Sequence, residues 1–194
     1  MSKNLYIIAG CNGAGKTTAS LTILPEVLNC REFINADEIA KGLSPLNVES
    51  VSVQAGKLMI KRFHELLDSG VDFAVETTLA TKSYIRNIHK AKKRKYTVIL
   101  LFFALDSPEL AKRRVQYRVQ EGGHNIPSES IERRYFKGLH YLFEYYLPIV
   151  DKAVIYDNSN DSPTLIAKQL SDKIMQIQDH EVYEQLINYA KKHY

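Results

Sequence analysis

The run Gly10-Cys11-Asn12-Gly13-Ala14-Gly15-Lys16-Thr17 limits what this chain can fold into more than any other stretch. It fits G-x-x-x-x-G-K-[ST] throughout, follows the apolar run Leu5 to Ala9 and precedes a helix-compatible segment. Glycines let the backbone curl so that successive N–H groups, from Asn12, Gly13, Ala14 and Gly15 onward into Thr18, face one anion. The helix that follows adds the positive end of its dipole. Lys16 can reach the β- and γ-phosphates of a nucleotide, and Thr17 can ligate magnesium. The rival reading, a glycine-rich connection with no ligand, does not account for strand, loop and helix arriving in that order.

A strand opening on such a loop belongs to an α/β architecture, and the rest of the chain agrees. Strands are predicted at Leu5 to Ala9, Phe33 to Asn35, Phe73 to Glu76, Tyr96 to Leu105 and Ala153 to Tyr156. Most are nearly unbroken apolar runs, as expected of a parallel sheet covered on both faces. Helical periodicity runs from Val51 to Leu67 with a stop at Ser69-Gly70, then over Ser83 to Lys93, Pro108 to Gln120 and Ser128 to Leu147. Pro163 to His193 reads as one or two amphipathic helices. The expectation is one P-loop domain: three layers, a mainly parallel sheet of roughly five strands, and a small helical lid over about residues 113–134.

The longest apolar run, Val98 to Leu105, is far shorter than the roughly 20 residues that cross a bilayer, and no signal-peptide layout opens the chain. A soluble cytoplasmic protein is expected, with Cys11 and Cys30 as reduced thiols.

In open α/β sheets the ligand lies beyond the carboxyl ends of the strands. Asp37 follows the second strand and Glu76 ends the third. Asp37 can accept the proton of an acceptor hydroxyl, hold magnesium through water, or simply cap the following helix. Glu76 can hold the acceptor or the metal shell, and Thr77 and Thr78 can cap or donate.

Arg113, Arg114, Arg118, Arg133 and Arg134 flank a Gly122-Gly123 hinge. Arginines carried by a closing segment can neutralise a transferring phosphoryl group while the closure excludes water. The alternative is surface ion pairs with Glu109, Glu129 and Glu132, each contributing little. His124 has no metal-ligand constellation around it. The basic run Lys90 to Lys95 reads as the cationic end of a helix rather than a nucleic-acid patch, and a nucleic-acid partner is not expected.

Gly10 to Thr17, Asn35-Ala36-Asp37-Glu38, Glu76-Thr77-Thr78-Leu79, Arg118 with Glu121-Gly122-Gly123-His124-Asn125-Ile126-Pro127, and Arg133-Arg134 together resemble the zeta toxin family of P-loop kinases, including its chromosomal ATP-binding branch. The resemblance covers roughly residues 4–160. It implies ATP (or GTP) and Mg2+ as cofactors, transfer to a hydroxyl of a UDP-N-acetylated amino sugar such as UDP-N-acetylglucosamine, and an antitoxin protein as a partner. It matches Asp37 to the general base, Lys16 to the Walker lysine, Glu76 and Thr78 to substrate-holding positions, and Arg118 with Arg133 or Arg134 to the lid arginines. Arg114 and Arg133 join the phosphate-loop residues as nucleotide contacts. Two other readings stand beside it: an ATPase switch or nucleotide-binding regulator, and a nucleoside or nucleotide kinase.

Overall fold

The computed structural model describes residues 3–123, 125–170 and 173–192. His124, in the expected lid, and His193, at the end of the expected C-terminal helices, lie outside them.

β1 (Lys3–Ala9) leads through the glycine-rich loop into α1 (Lys16–Thr22), which continues as a π-helical turn over Ile23–Val27. β2 (Glu32–Ile34) and α2 (Ala36–Leu43) follow. α3 (Ser52–Ser69) then runs to Gly70, whose φ of 72° ends the helix in the left-handed conformation. β3 (Phe73–Thr77), α4 (Ser83–Lys93), β4 (Tyr96–Ala104) and α5 (Pro108–Gln120) continue the alternation. Ser107 caps α5 through Leu110 N–H, with Pro108 in the first turn, as that Ser-Pro-Glu sequence favours. α6 (Ser128–Tyr141) widens into a π-helical turn at Leu142–Tyr146 and gives way to β5 (Lys152–Asp157).

The sheet order is β2-β3-β1-β4-β5-β6-β7. The first five in that order pair in parallel, in registers such as Ile7↔Val75 and Ile7↔Leu100. β1 therefore lies at the centre, and its apolar residues are buried because helices cover both faces. Phe63 of α3 meets Phe73 edge to face, and Phe73 meets Tyr96 the same way. These contacts fix α3 over the sheet and so fix what α2 can reach.

The C-terminal region departs from expectation. Among the described residues the sheet has seven strands rather than five, because Thr164–Gln169 forms β6 and Met175–Ile177 forms β7, both antiparallel. Only His180–Lys192 of the predicted helical stretch is helical, as α7. Leu165, Ile166, Leu170, Ile174 and Ile177 fit a helical repeat, but β5 would otherwise expose a free edge, and pairing along that edge buries Ile166 and Ala167.

Asp151 fastens the start of β5. Its carboxylate accepts from Val98 N–H at 2.8 Å and pairs with Lys92 Nζ at 2.8 Å. Burial works against the charged form, yet the Lys92 and Val98 hydrogen bonds outweigh it and hold the pKa below its ordinary value. A depressed folded pKa gives stability that is present above the unfolded value, about 3.9, and lost as pH falls through the folded one. Asp151→Asn is expected to cost about 1–2 kcal/mol at neutral pH. In calorimetric melts the gap from the native protein should narrow as pH falls below the unfolded value and through the depressed folded one; a gap of constant size would contradict the assignment.

Among the described residues no helix is long and apolar enough to cross a membrane. Cys11 and Cys30 are both free and buried.

Candidate functional site

The glycine-rich loop is shaped by what lies behind it. Gly10 has φ 145°, and a Cβ there would stand 2.3 Å from the Phe103 carbonyl oxygen of β4, so only glycine lets the loop lie this close to the sheet. Gly15, at φ 74°, is the N-cap of α1, and its would-be Cβ meets Asn158 Nδ2 at 2.6 Å. That same Nδ2 donates to the Ala14 carbonyl at 2.8 Å. Arg114 in turn donates to the Asn158 and Ser159 carbonyls, each at 2.8 Å. A segment just past β5 thus braces the loop from outside the motif. Asn158 escaped the sequence reading, although the rule that singled out Asp37 and Glu76, polar residues at strand ends, applies equally to Asp157-Asn158. Cys11 is enclosed in the loop; burial pushes its thiol up to about 11, against a smaller opposing pull from Lys16.

Four side chains converge in front of the loop. Lys16, only 7% exposed, donates to the Cys11 carbonyl at 2.9 Å and lies 3.6 Å from Glu76 Oε1. Thr17 Oγ1 donates to Glu76 Oε2 at 2.8 Å, and Asn35 Nδ2 donates to the same oxygen at 3.0 Å. Glu76 therefore belongs with the Walker lysine and threonine. Among the described residues no group of three or more His, Cys, Asp or Glu side chains could hold a metal. The Thr17 hydroxyl and Glu76 carboxylate are hard oxygen donors side by side, the sparse protein contribution that Mg2+ accepts when phosphates and water complete its shell.

The helix cap proves to be Asn35 rather than Asp37: Asn35 Oδ1 accepts from Asp37 N–H at 2.8 Å and Glu38 N–H at 3.3 Å. Asp37 is left with an exposed side chain on the wall of two cavities. The first, about 430 Å³, is lined by Asn12, Gly13, Gly15, Lys16, Thr17, Thr18, Glu76, Arg114 and Arg118, among others, and by Glu121, Gly122 and Gly123 of the hinge. The second, about 370 Å³, lies between α2 and the Asn125–Ser130 stretch, with Glu49, Ser52 and Arg134 on its walls.

The two adjacent arginines of α6 part company. Arg134 is half-buried and donates to Asn12 Oδ1 at 3.1 Å, linking α6 to the phosphate loop. Burial lowers its pKa and the nearby Asp37 carboxylate partly restores it. Arg133 is exposed and lines neither cavity. Glu132, offered by the sequence as an arginine partner, pairs instead with Lys112 at 2.6 Å. Thr78 also lines neither cavity; its carbonyl backs onto Gly138 of α6, and Thr77 Oγ1 accepts from Leu79 N–H at 3.0 Å. The basic run at the end of α4 is engaged locally, Lys92 with Asp151 and Arg94 with Asp68 at 2.6 Å.

Comparison with known proteins places this geometry. A protein from Haemophilus influenzae (strain ATCC 51907 / DSM 11121 / KW20 / Rd), described as uncharacterized, is 29% identical over 135 residues, which are 70% of this chain and 94% of that one. The AvrRxo1-ORF1:AvrRxo1-ORF2 complex with sulphate ions superposes with a TM-score of 0.75 at 17% identity, over 95% of this chain and 63% of that chain. The same complex with ATP gives 0.73 at 18%. This chain thus spans somewhat less than two thirds of that relative's length. The PezAT chromosomal toxin-antitoxin system of Streptococcus pneumoniae gives 0.70 at 20% identity, over 95% of this chain and 78% of that chain. At these identities the solved structures establish the shared fold. The zeta toxin family model matches residues 1–166, and the chain accordingly belongs to the zeta toxin family of P-loop kinases.

Proposed function

We propose that the protein transfers the γ-phosphoryl group of ATP to a hydroxyl of a small acceptor, a UDP-N-acetylated amino sugar such as UDP-N-acetylglucosamine being the class that family membership favours. The observation that carries this reading is the place of Asp37 on a wall common to two cavities, one lined by the phosphate loop and one by Arg134. A carboxylate there can take the proton of an acceptor hydroxyl while its oxygen attacks the γ-phosphorus and the bond to the β–γ bridging oxygen breaks.

The nucleotide occupies the first cavity, its phosphates against the Asn12 to Thr18 backbone. ATP as donor is supported by the ATP complex of AvrRxo1-ORF1:-ORF2, a relative in fold. Thr17 and Glu76 would hold Mg2+, which when bound would supply charge neutralisation to the phosphates. Lys16 provides the neighbouring cation. Arg118 and Arg134 add positive charge from either side of the glycine hinge, and the segment between α5 and α6 acts as a lid that keeps water from the phosphoryl group. Arg134, tied to Asn12, is the better placed of the adjacent pair, and Arg114 shapes the cavity through the Asn158 brace. An antitoxin partner and a cytoplasmic location complete the proposal, the first supported by the toxin-antitoxin system among the relatives in fold.

Incubation with γ-labelled ATP, Mg2+ and UDP-N-acetylglucosamine, alongside nucleosides and simple sugars, is expected to give a labelled sugar nucleotide identifiable by mass. Label appearing only as inorganic phosphate, with every acceptor inert, would sink the acceptor proposal.

A further inference from the structure

Asn35 does more than cap α2. Parallel pairing of β2 with β3 sets Ile34 against Val75, so the next residue along, Asn35, arrives beside Glu76. Asn35 is 6% exposed, and its amide works in two directions. Oδ1 accepts from the Asp37 and Glu38 N–H groups. Nδ2 donates to Glu76 Oε2 at 3.0 Å and lies 3.4 Å from Thr17 Oγ1.

Helix capping alone does not explain this choice of side chain. Serine and aspartate cap about as well as asparagine. Serine is too short to cap and also reach Glu76, and aspartate would set a second carboxylate against it, where like charges disfavour each other. Only asparagine offers an acceptor to the helix and a neutral donor to the carboxylate at this length.

We propose that Asn35 is a positioning residue for the magnesium pair: its Nδ2 holds one Glu76 oxygen and faces the Thr17 hydroxyl, so both metal-binding oxygens are oriented before the metal arrives. This rests on the reading of Thr17 and Glu76 as the residues that hold Mg2+. A group fixing a metal-binding carboxylate is worth about 10–100-fold in metal affinity or activity. Asn35 never touches the phosphoryl group; it acts through Glu76.

The test uses a fluorescent, non-hydrolysable ATP analogue, its affinity measured with Mg2+ and with EDTA. Asn35→Ser keeps an oxygen for the cap and loses the Nδ2 donor that reaches Glu76; Asn35→Ala loses both. Both variants are expected to lose about 10–100-fold of the affinity gained from Mg2+, with affinity in EDTA unchanged. Where Asn35→Ala fails to fold, the serine variant carries the test. In a Glu76→Gln background Asn35→Ala should add little further loss, because the two substitutions act on one interaction. An intact Mg2+ gain in Asn35→Ser, or an undiminished Asn35→Ala loss in the Glu76→Gln protein, would overturn the assignment. No acceptor is involved, so an acceptor screen that fails leaves this result standing, and an Asn35 result that fails leaves the screen standing.

Discussion

Replacing Lys16 with alanine is expected to slow phosphoryl transfer by about three orders of magnitude or more, the scale seen when a charge facing a transferring phosphoryl group is removed. The structure indicates why folding should survive. Lys16 contributes a hydrogen bond to the Cys11 carbonyl and an ion pair to Glu76. Once it is gone, Glu76 still receives hydrogen bonds from Thr17 and Asn35 and is not stranded. The expected stability cost is therefore only about 1–2 kcal/mol. Single-turnover transfer at saturating nucleotide, measured beside a thermal melt, separates the two effects. A folded variant within tenfold of the native rate would remove Lys16 from the chemistry.

Asp37→Asn is the second large effect, an expected fall of about 10²–10⁴-fold in turnover, the usual contribution of a general base. Here the cap assignment matters. Had Asp37 capped α2, its substitution would mix helix stability with catalysis; because Asn35 accepts the Asp37 and Glu38 N–H groups, Asp37 is free of that duty. Melting temperature and ATP affinity should stay near native, with the loss confined to turnover. Unchanged turnover would leave Asp37 as a surface carboxylate.

What could be read from the sequence divides along the distance over which each feature is determined. The phosphate loop was legible because its whole mechanism lies in consecutive residues. The parallel strands were legible because burial on both faces leaves apolar runs. The β6–β7 hairpin was not, since Leu165, Ile166, Leu170 and Ile174 suit a helical repeat as well, and what decides between them is the open edge of β5. The choice between Arg133 and Arg134 was hidden by adjacency, yet a signal existed. On α6 the buried Ile131, Tyr135 and Leu139 define one side, and position 134 falls nearer that side than position 133. The cap on α2 was not legible because Asn35 reads equally well as the last residue of a strand, which leaves Asp37 as the visible capping residue. Its extended φ of −132° and ψ of 122° suit both a strand end and an N-cap. Asn158 needed the three-dimensional meeting of a residue beyond β5 with Ala14, 144 positions earlier.

That last distance bears on how the protein is made. The phosphate-binding motif is translated before the residues that complete it: β1 pairs with β3 and β4, at registers such as Leu5↔Phe73 and Lys3↔Tyr96, and the Ala14 carbonyl waits for Asn158. Strands whose partners are this remote cannot settle until those partners are translated. A nascent chain that stops short of Asn158 therefore carries the complete motif without the brace that holds its loop.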